Sequence, residues 1–322
     1  HASFQVKTLL ILEEKPKVLM TNYYDREVIA EALRPLRQAA TIVDRSCQRN
    51  FTLDEIRDAI PGHHAIIAAD EPYSREILEC ADKLLILARD GTGYDKIDLQ
   101  AATELGIVVT RAPVVADATA NLTVGLMIAL VRQVLLADCA VRSQRWTDRA
   151  SLLCPDLTGM TLGIIGFGDI GRRVATRATS LGMNVEVYNR SDVTESARNA
   201  GAKAVSLNEL LANADVVSIH LPHTPDTRGF CCRELFRKMK KGAYFLNTAR
   251  GELVREEDLV EALKSSHLAG AALDVFQKEP VDPNNPLLDL PNVLLSPHMC
   301  GDTTTTMIQA TEINVAQIVD LF

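Results

Sequence analysis

Short, almost wholly apolar runs alternate along the chain with longer amphipathic stretches. Four such runs stand at 17–20 (KVLM), 65–69 (AIIAA), 84–88 (LLILA) and 107–110 (IVVT). Runs that are apolar throughout, rather than at every second position, are what strands buried on both faces of a parallel sheet show. Helical spacing separates them at 26–33, 52–59 and 74–81. A second series follows at 162–167, 185–188, 216–220, 243–247, 270–276 and 292–296, close to six strands and enough for one complete doubly wound sheet. The alternation predicts βαβ units and parallel sheets covered by helices. A stretch rich in Leu, Ala and Val, from 119 to about 146, reads as one long helix between the two series. The residues 304–322 read as a last helix, expected to return to the first domain.

Composition sets outer bounds. A length of 322 residues is a prior for two domains, each long enough for a large core. The formal net charge is −8. A nucleic-acid partner calls for a basic face, so none is expected, while a local pocket for one small anion stays compatible with that balance. The seven cysteines, at 47, 80, 139, 154, 231, 232 and 300, are odd in number and contain no CxxC pair. They read as reduced thiols in a cytoplasmic protein. The apolar stretch 122–131 is too short to span a bilayer, so no membrane partner is expected. No secretory leader is read in the first residues, the start at His1 rather than Met marks that run as a candidate expression remnant, and no further domain is expected past the last helix.

The glycines supply the first chemistry. Gly166-Phe167-Gly168-Asp169-Ile170-Gly171 has GxGxxG spacing, follows an apolar strand and opens a helical stretch at 172–181. In that setting the first glycine allows a tight turn, the second lets backbone approach a pyrophosphate, and the third lets helix and strand pack closely. The helix start offers N–H groups to the phosphates. At the end of the next strand, where an NAD site usually places an acid for the ribose hydroxyls, the chain has Asn189-Arg190-Ser191. A carboxylate would repel a 2′-phosphate, whereas an amide, a guanidinium and a hydroxyl would hold one. The expected cofactor is therefore NADP(H), with NAD(H) second.

Three further strand ends carry polar groups. Asn247-Thr248-Ala249-Arg250-Gly251 ends one strand, Asp274 with Glu279-Pro280 another, and Ser296-Pro297-His298 the last. Ligands of open α/β sheets bind at these ends. An Arg forks onto a carboxylate, a His supplies or removes a hydroxyl proton, and a Glu beside the His orients its ring and favours the imidazolium. His63, His64, His223 and His267 read as structural. His220 and His223 stand at a strand end without an accompanying carboxylate motif, so no metal is expected. Asp70 and Glu71 close an apolar strand of the first series, where a cleft-facing and a solvated reading are equally open.

With these residues in place, the sequence resembles the D-isomer-specific 2-hydroxyacid dehydrogenases, specifically members like phosphoglycerate dehydrogenase and glyoxylate/hydroxypyruvate reductase. The resemblance runs through GTGYDKID (91–98), GIIGFGDIG (163–171), HLPHTPDTRG (220–229), FLNTARGELV (245–254), GAALDVFQKEP (270–280) and SPHMCG (296–301), in that order. It implies an α/β fold of two doubly wound parallel-sheet domains. One would be a Rossmann dinucleotide-binding domain over 118–297, with a dimerisation helix. The other would be a flavodoxin-like, discontinuous substrate domain over 1–117 and 298–322. By the same resemblance Arg250 would bind the substrate carboxylate and 2-oxo group, His298 would be the acid/base and Glu279 its partner. Backbone N–H groups of Thr92 and Gly93 would hold the carboxylate, Thr92 also lying near the nicotinamide. Gly166, Gly168, Asp169 and Ile170 would sit at the pyrophosphate, and Leu221, Pro222 and Thr227 at the adenosine half. Thr248, Ala249 and Asp274 would lie at the nicotinamide end, with Gly301 facing the cofactor. Family members are commonly homodimers.

The chain departs from the family pattern at Lys96, where Asn is usual, at Asp117-Ala118-Thr119, and at Met299-Cys300 after the His. None removes a proposed catalytic group, so they bear on substrate rather than chemistry. The leading expectation is an enzyme moving a hydride between NADP(H) and C2 of a small D-2-hydroxy/2-oxo acid of the glyoxylate, hydroxypyruvate or phosphohydroxypyruvate class. An NAD-dependent phosphoglycerate dehydrogenase and a nucleotide-sensing protein like the family's corepressors are the alternatives. Formate dehydrogenase pairs its His with Gln, and Glu279 argues against it.

Overall fold

The computed structural model describes residues 15–45 and 51–322, so Cys47 and the N-terminal run lie outside the described residues. The strands are β1 (Lys17–Met20), β2 (Thr41–Asp44), β3 (Ala65–Ala68), β4 (Ile86–Arg89), β5 (Val108–Arg111), β6 (Thr161–Ile165), β7 (Asn184–Tyr188), β8 (Lys203–Ala204), β9 (Val216–Ile219), β10 (Ala243–Asn247), β11 (Leu268–Leu273) and β12 (Val293–Leu295). The chain divides into two compact units, one comprising the residues up to Val115 with Asp302–Phe322, the other Ala116–Gly301. His298 thus belongs to the unit of the second strand series, not to the unit of the last helix. Its backbone N–H donates to Asp274 O at 2.7 Å, which ties it to the end of β11.

The first unit holds a five-stranded sheet in the order β2-β1-β3-β4-β5, with every pairing parallel. That is the flavodoxin-like order. Successive side chains leave opposite faces. Leu19, Ile66 and Leu87 pack against Ile56, Ile77 and Ala101 of the helices Leu53–Ala59, Arg75–Glu79 and Leu99–Glu104. Val18, Met20, Ile67 and Ala88 face the other way, toward Leu36 of the helix Arg34–Ala39 and Val315 and Ile318 of the helix Thr304–Leu321. The helical spacing at 26–33 gives only turns. The helix starts at Arg34 because Pro35 sits in its first turn, where its fixed φ suits and its missing N–H is not needed.

The second unit holds seven parallel strands in the order β12-β11-β10-β9-β6-β7-β8. Counted from β6, this is the Rossmann order with one further strand. The helices Ala116–Val131 and Asp169–Ser180 place Met127, Val131, Val174 and Ala178 on Leu162, Ile164, Leu246 and Ala272. On the other face Leu210, Phe236 and Leu259 meet Ile165, Val217, Phe245 and Leu273. The single long helix expected from 119 to 146 is two helices, Ala116–Val131 and Val134–Arg142, bent by 59°. The break sits at Gln133, which takes a left-handed φ of 51°. Among the described residues no single helix is long and apolar enough to cross a membrane.

The polar centre of the first unit is Asp90, immediately after β4. Its buried carboxylate accepts from Asn22 Nδ2 at 2.7 Å and from Asn314 Nδ2 at 3.4 Å, so it joins the chain leaving β1, the chain leaving β4 and the final helix. Burial raises its pKa from 3.8 to about 6, against the opposing effects of the Asn22 hydrogen bond and Arg89. A folded value above the unfolded one means that the proton's contribution to stability is full below about pH 4 and is lost as pH rises through about 6. The unfolding free energy of the wild type relative to Asp90→Asn is therefore expected to fall by roughly 2–3 kcal/mol between about pH 4.5 and 7.5. Urea denaturation at constant ionic strength measures it, and identical pH dependence in the two proteins would refute the assignment.

Candidate functional site

The glycine turn follows β6. Gly166 has φ 94°, and a Cβ there would lie 2.6 Å from His220 O, at the exit of β9. A Cβ on Gly171 would lie 2.4 Å from Gly166 O. Both glycines are therefore required by the packing of the chain itself. Gly168 differs, because a Cβ there would meet no protein atom within 4 Å. It stands at the start of the helix Asp169–Ser180, whose N-terminus has no side-chain cap. Open space beside uncapped N–H groups, including those of Asp169 and Ile170, fits a pyrophosphate. β6 and β9 are also the pair at which the strand order reverses, the usual crevice for a dinucleotide. The Asp169 carboxylate lies 3.3 Å from Arg173 Nε and 3.9 Å from Arg172, within its own helix.

The end of β7 joins this turn. Asn189 Oδ1 accepts from Phe167 N at 3.2 Å while its Nδ2 donates to Ser191 Oγ at 2.8 Å, so Asn189 and Ser191 are fixed against the glycine loop. Arg190 is 91% exposed and approaches Asp226 at 3.8 Å. Leu221 and Pro222 follow β9 in a loop closed by Thr227, whose Oγ1 donates to Pro222 O at 2.7 Å. Desolvation lowers the His220 pKa to about 4, and its Nε2 lies 2.9 Å from Ser218 Oγ.

Arg250, Glu279 and His298 come from three adjacent strands. Buried Asn247 ends β10 and fixes the next turn, with Nδ2 donating to Arg250 O at 2.8 Å and Oδ1 accepting from Ala249 N at 3.0 Å. Thr248 Oγ1 lies 2.8 Å from Thr123 Oγ1 on the helix Ala116–Val131. Arg250 is extended, and Nη1 donates to Ala249 O at 2.9 Å. A Cβ on Gly251 would lie 1.9 Å from the Phe276 carbonyl, so the chain after Arg250 crosses in contact with the backbone leaving β11. There Asp274 is fully buried. Its Oδ1 accepts from Ser296 Oγ at 2.5 Å and Met299 N at 3.0 Å, and its Oδ2 accepts from Cys300 N at 2.9 Å. The loop so held carries Gly301 and sets His298 at a left-handed φ of 53°. His298 Nδ1 lies 2.7 Å from Glu279 Oε2, and Glu279 Oε1 accepts from Phe276 N at 3.0 Å.

Thr92 and Gly93 belong to the first unit, in the loop after β4. Thr92 O accepts from Arg111 Nη1 at 3.4 Å, and the Arg111 guanidinium lies 5.8 Å from the Tyr94 ring centroid. Sequence reasoning missed the supporting residues Asn247, Gly251 and Ser296. Their only signals are that each stands at a strand end within a few residues of a candidate group.

The family profile described as "D-isomer specific 2-hydroxyacid dehydrogenase, NAD binding domain" matches residues 124–300, more than half of the chain. The glyoxylate reductase of Korarchaeum cryptofilum is 35% identical over 314 residues, covering 92% of this chain and 90% of that one. This chain belongs to the D-isomer-specific 2-hydroxyacid dehydrogenase family. The D-3-phosphoglycerate dehydrogenase of Archaeoglobus fulgidus is 38% identical over 83% of this chain, which spans only 51% of that relative's length. A crystal structure of the TT0316 protein of Thermus thermophilus superposes with a TM-score of 0.86 at 36% identity, covering 95% of this chain and 96% of the other.

The two kinds of glycine in this 2-hydroxyacid dehydrogenase family member separate fold from ligand. Gly168→Ala should change the unfolding free energy by no more than ~0.5 kcal/mol. It should weaken dinucleotide binding, read by nicotinamide fluorescence, at least ~10-fold, because the added methyl enters the phosphate space. Gly251→Ala should destabilise the protein by at least ~2 kcal/mol, through overpacking against backbone. Unaltered dinucleotide affinity in Gly168→Ala would place the phosphates elsewhere.

Proposed function

We propose that the protein is an NADP(H)-preferring oxidoreductase that interconverts a small 2-oxo acid and the corresponding D-2-hydroxy acid. The observation that carries this reading is the 2.7 Å contact between His298 Nδ1 and Glu279 Oε2 at the strand ends that also carry Arg250. The bound nicotinamide supplies or accepts the hydride. Arg250 forks onto the substrate carboxylate and fixes C2 relative to His298. With Nδ1 engaged by Glu279, the proton exchanged with the oxygen on C2 is carried on Nε2 of His298. Glu279 stabilises the imidazolium needed for reduction. Thr92 and Gly93 hold the carboxylate through backbone N–H groups, and Thr248, Ala249, Asp274 and Gly301 serve the nicotinamide end, Asp274 by holding the His298 loop.

Arg250→Ala should lower kcat/KM at least ~10²-fold with dinucleotide affinity little changed, since charge-assisted hydrogen bonds contribute about 1.5–3 kcal/mol each. Glu279→Gln removes the anion beside the imidazolium, so the alkaline limb of the reduction profile should move to lower pH. A spectrophotometric screen of glyoxylate, hydroxypyruvate, pyruvate and 3-phosphohydroxypyruvate with both cofactors is the primary test. No turnover of any of them, or near-normal turnover by Arg250→Ala, would overturn the reading.

The cofactor preference rests on the end of β7. Asn189 and Ser191 are neutral and fixed, and Arg190 has a long, exposed contact to Asp226. A 2′-phosphate gains the guanidinium and meets no carboxylate at position 189. We expect at least ~10-fold preference for NADPH over NADH in kcat/KM, one charge-assisted contact being worth roughly 1.5–3 kcal/mol. Asn189→Asp with Arg190→Ala should reverse it. Equal or better use of NADH by the wild type would show that Arg190 takes no part.

We also infer a homodimer in a reducing, cytoplasmic setting. Val134, Leu135, Leu136 and Val141 on the helix Val134–Arg142 and Trp146 just beyond it are exposed apolar side chains close together in sequence, a pattern suited to a second copy of the chain. Among the described residues no cysteine is in a disulfide. Light scattering after gel filtration should give twice the chain mass, and Leu135→Glu should halve it. A monomer at micromolar concentration would remove this inference.

A further inference from the structure

Of the cations at the loop 91–98 of the first unit, two, Arg89 and Lys96, are held by one carboxylate, Asp70. Arg89 ends β4, Lys96 lies within the loop 91–98, and Asp70 follows β3, the strand paired with β4. Arg89 Nη2 lies 2.8 Å from Asp70 Oδ1, and Lys96 Nζ lies 2.5 Å from Asp70 Oδ2 and 3.3 Å from Asp70 O. The other terminal nitrogen of Arg89, Nη1, donates to Asp90 O. The guanidinium also lies against the start of the loop. A Cβ on Gly91 would come within 3.0 Å of Arg89 Nη1, two residues before Gly93. The Arg89 and Asp70 side chains are only 12% and 23% exposed, so water screens this pair poorly.

On the function proposed above, the backbone of this loop holds the carboxylate of the substrate. A second anionic group on C3 of that substrate would find its natural partners in Arg89 and Lys96. To reach them it would have to displace Asp70 and then face the Asp70 charge. We infer that Asp70 is a specificity-determining residue that keeps Arg89 and Lys96 engaged, so that this chain takes 2-oxo acids with a small uncharged C3 group and rejects those carrying a phosphate or a second carboxylate there. Rejection by a fixed like charge is a repulsive element of specificity, which contacts to the preferred substrate alone would not provide.

The test compares hydroxypyruvate with 3-phosphohydroxypyruvate, which differ only in the C3 phosphate, using the full chain with NADPH. The wild type should favour hydroxypyruvate in kcat/KM by at least ~10-fold, and Asp70→Asn, which keeps the shape and removes the charge, should move that ratio at least ~10-fold toward the phosphorylated acid. Inorganic phosphate should become a competitive inhibitor against hydroxypyruvate at millimolar concentration in the variant and not in the wild type. Asp70→Ser serves as a second variant if the first does not fold. A ratio that stays put with turnover retained means that Asp70 only braces the loop, and overturns this inference alone. A wild type that prefers the phosphorylated acid also overturns it. Failure of the wild type to turn over either acid overturns the functional reading, and this inference falls with it.

Discussion

The placement of His298 depends on a carboxylate that is completely buried. Asp274 satisfies two backbone N–H groups and a serine hydroxyl on the chain leaving β12, and it does so from the end of β11. An acceptor with that many donors makes a short loop rigid, alongside the packing of Cys300 into the core. Without it, the N–H groups of Met299 and Cys300 would lose this partner, at about 1–3 kcal/mol for the buried Cys300 group. The left-handed φ of His298 is the local consequence, a conformation that a residue with a Cβ adopts only where its surroundings hold it. Glu279 then meets a ring whose position is already decided, and its second oxygen is fixed by the N–H of Phe276.

Close backbone approach is the second constraint, and it works through absent side chains. At Gly251 the chain after Arg250 touches the carbonyl of Phe276, and at Gly166 the turn after β6 touches the carbonyl of His220. Each contact joins neighbouring strand ends, β10 to β11 in one case and β6 to β9 in the other. Side chains separated by many residues in sequence thereby share one edge of the sheet. Gly168 has no such packing reason: a Cβ there would meet open space where the other two would meet backbone.

The central strands were legible because burial on both faces leaves a continuous apolar run. β3 and β9, buried along their whole lengths, are the clearest cases. β2 and β8 escaped because they are short edge strands with polar and half-exposed residues, so neither a run nor an alternation marks them. The break between Val131 and Val134 escaped for a different reason. Arg132 and Gln133 both suit a helix, no glycine or proline stands there, and only tertiary packing decides that Gln133 turns left-handed. In the candidate site, the motifs nominate Arg250, Glu279 and His298, and the structure sets His298 Nδ1 2.7 Å from Glu279 Oε2. The networks of Asp90 and Asp274 could not, since a buried acid has no one-dimensional signature that separates it from an exposed one.

Burial also separates two ion pairs of similar chemistry. Arg190 and Asp226 are 91% and 82% exposed at 3.8 Å, a geometry in which water competes for both ions and the pair contributes little. Such an arginine can leave its carboxylate for a phosphate, which carries more charge and more acceptor oxygens. Arg89 and Asp70 are 12% and 23% exposed at 2.8 Å, with Lys96 on the second carboxylate oxygen. Separating those ions leaves poorly solvated charges behind, so the cluster persists when an anion arrives and opposes it. On the proposed readings, the exposed Arg190 is available to a phosphate on the cofactor, while Arg89 and Lys96, both held by Asp70, are withheld from a phosphate on the substrate. The difference lies in the solvent around each pair and not in the residue types, so on the proposed readings the same Arg–Asp chemistry would have opposite consequences in the two units.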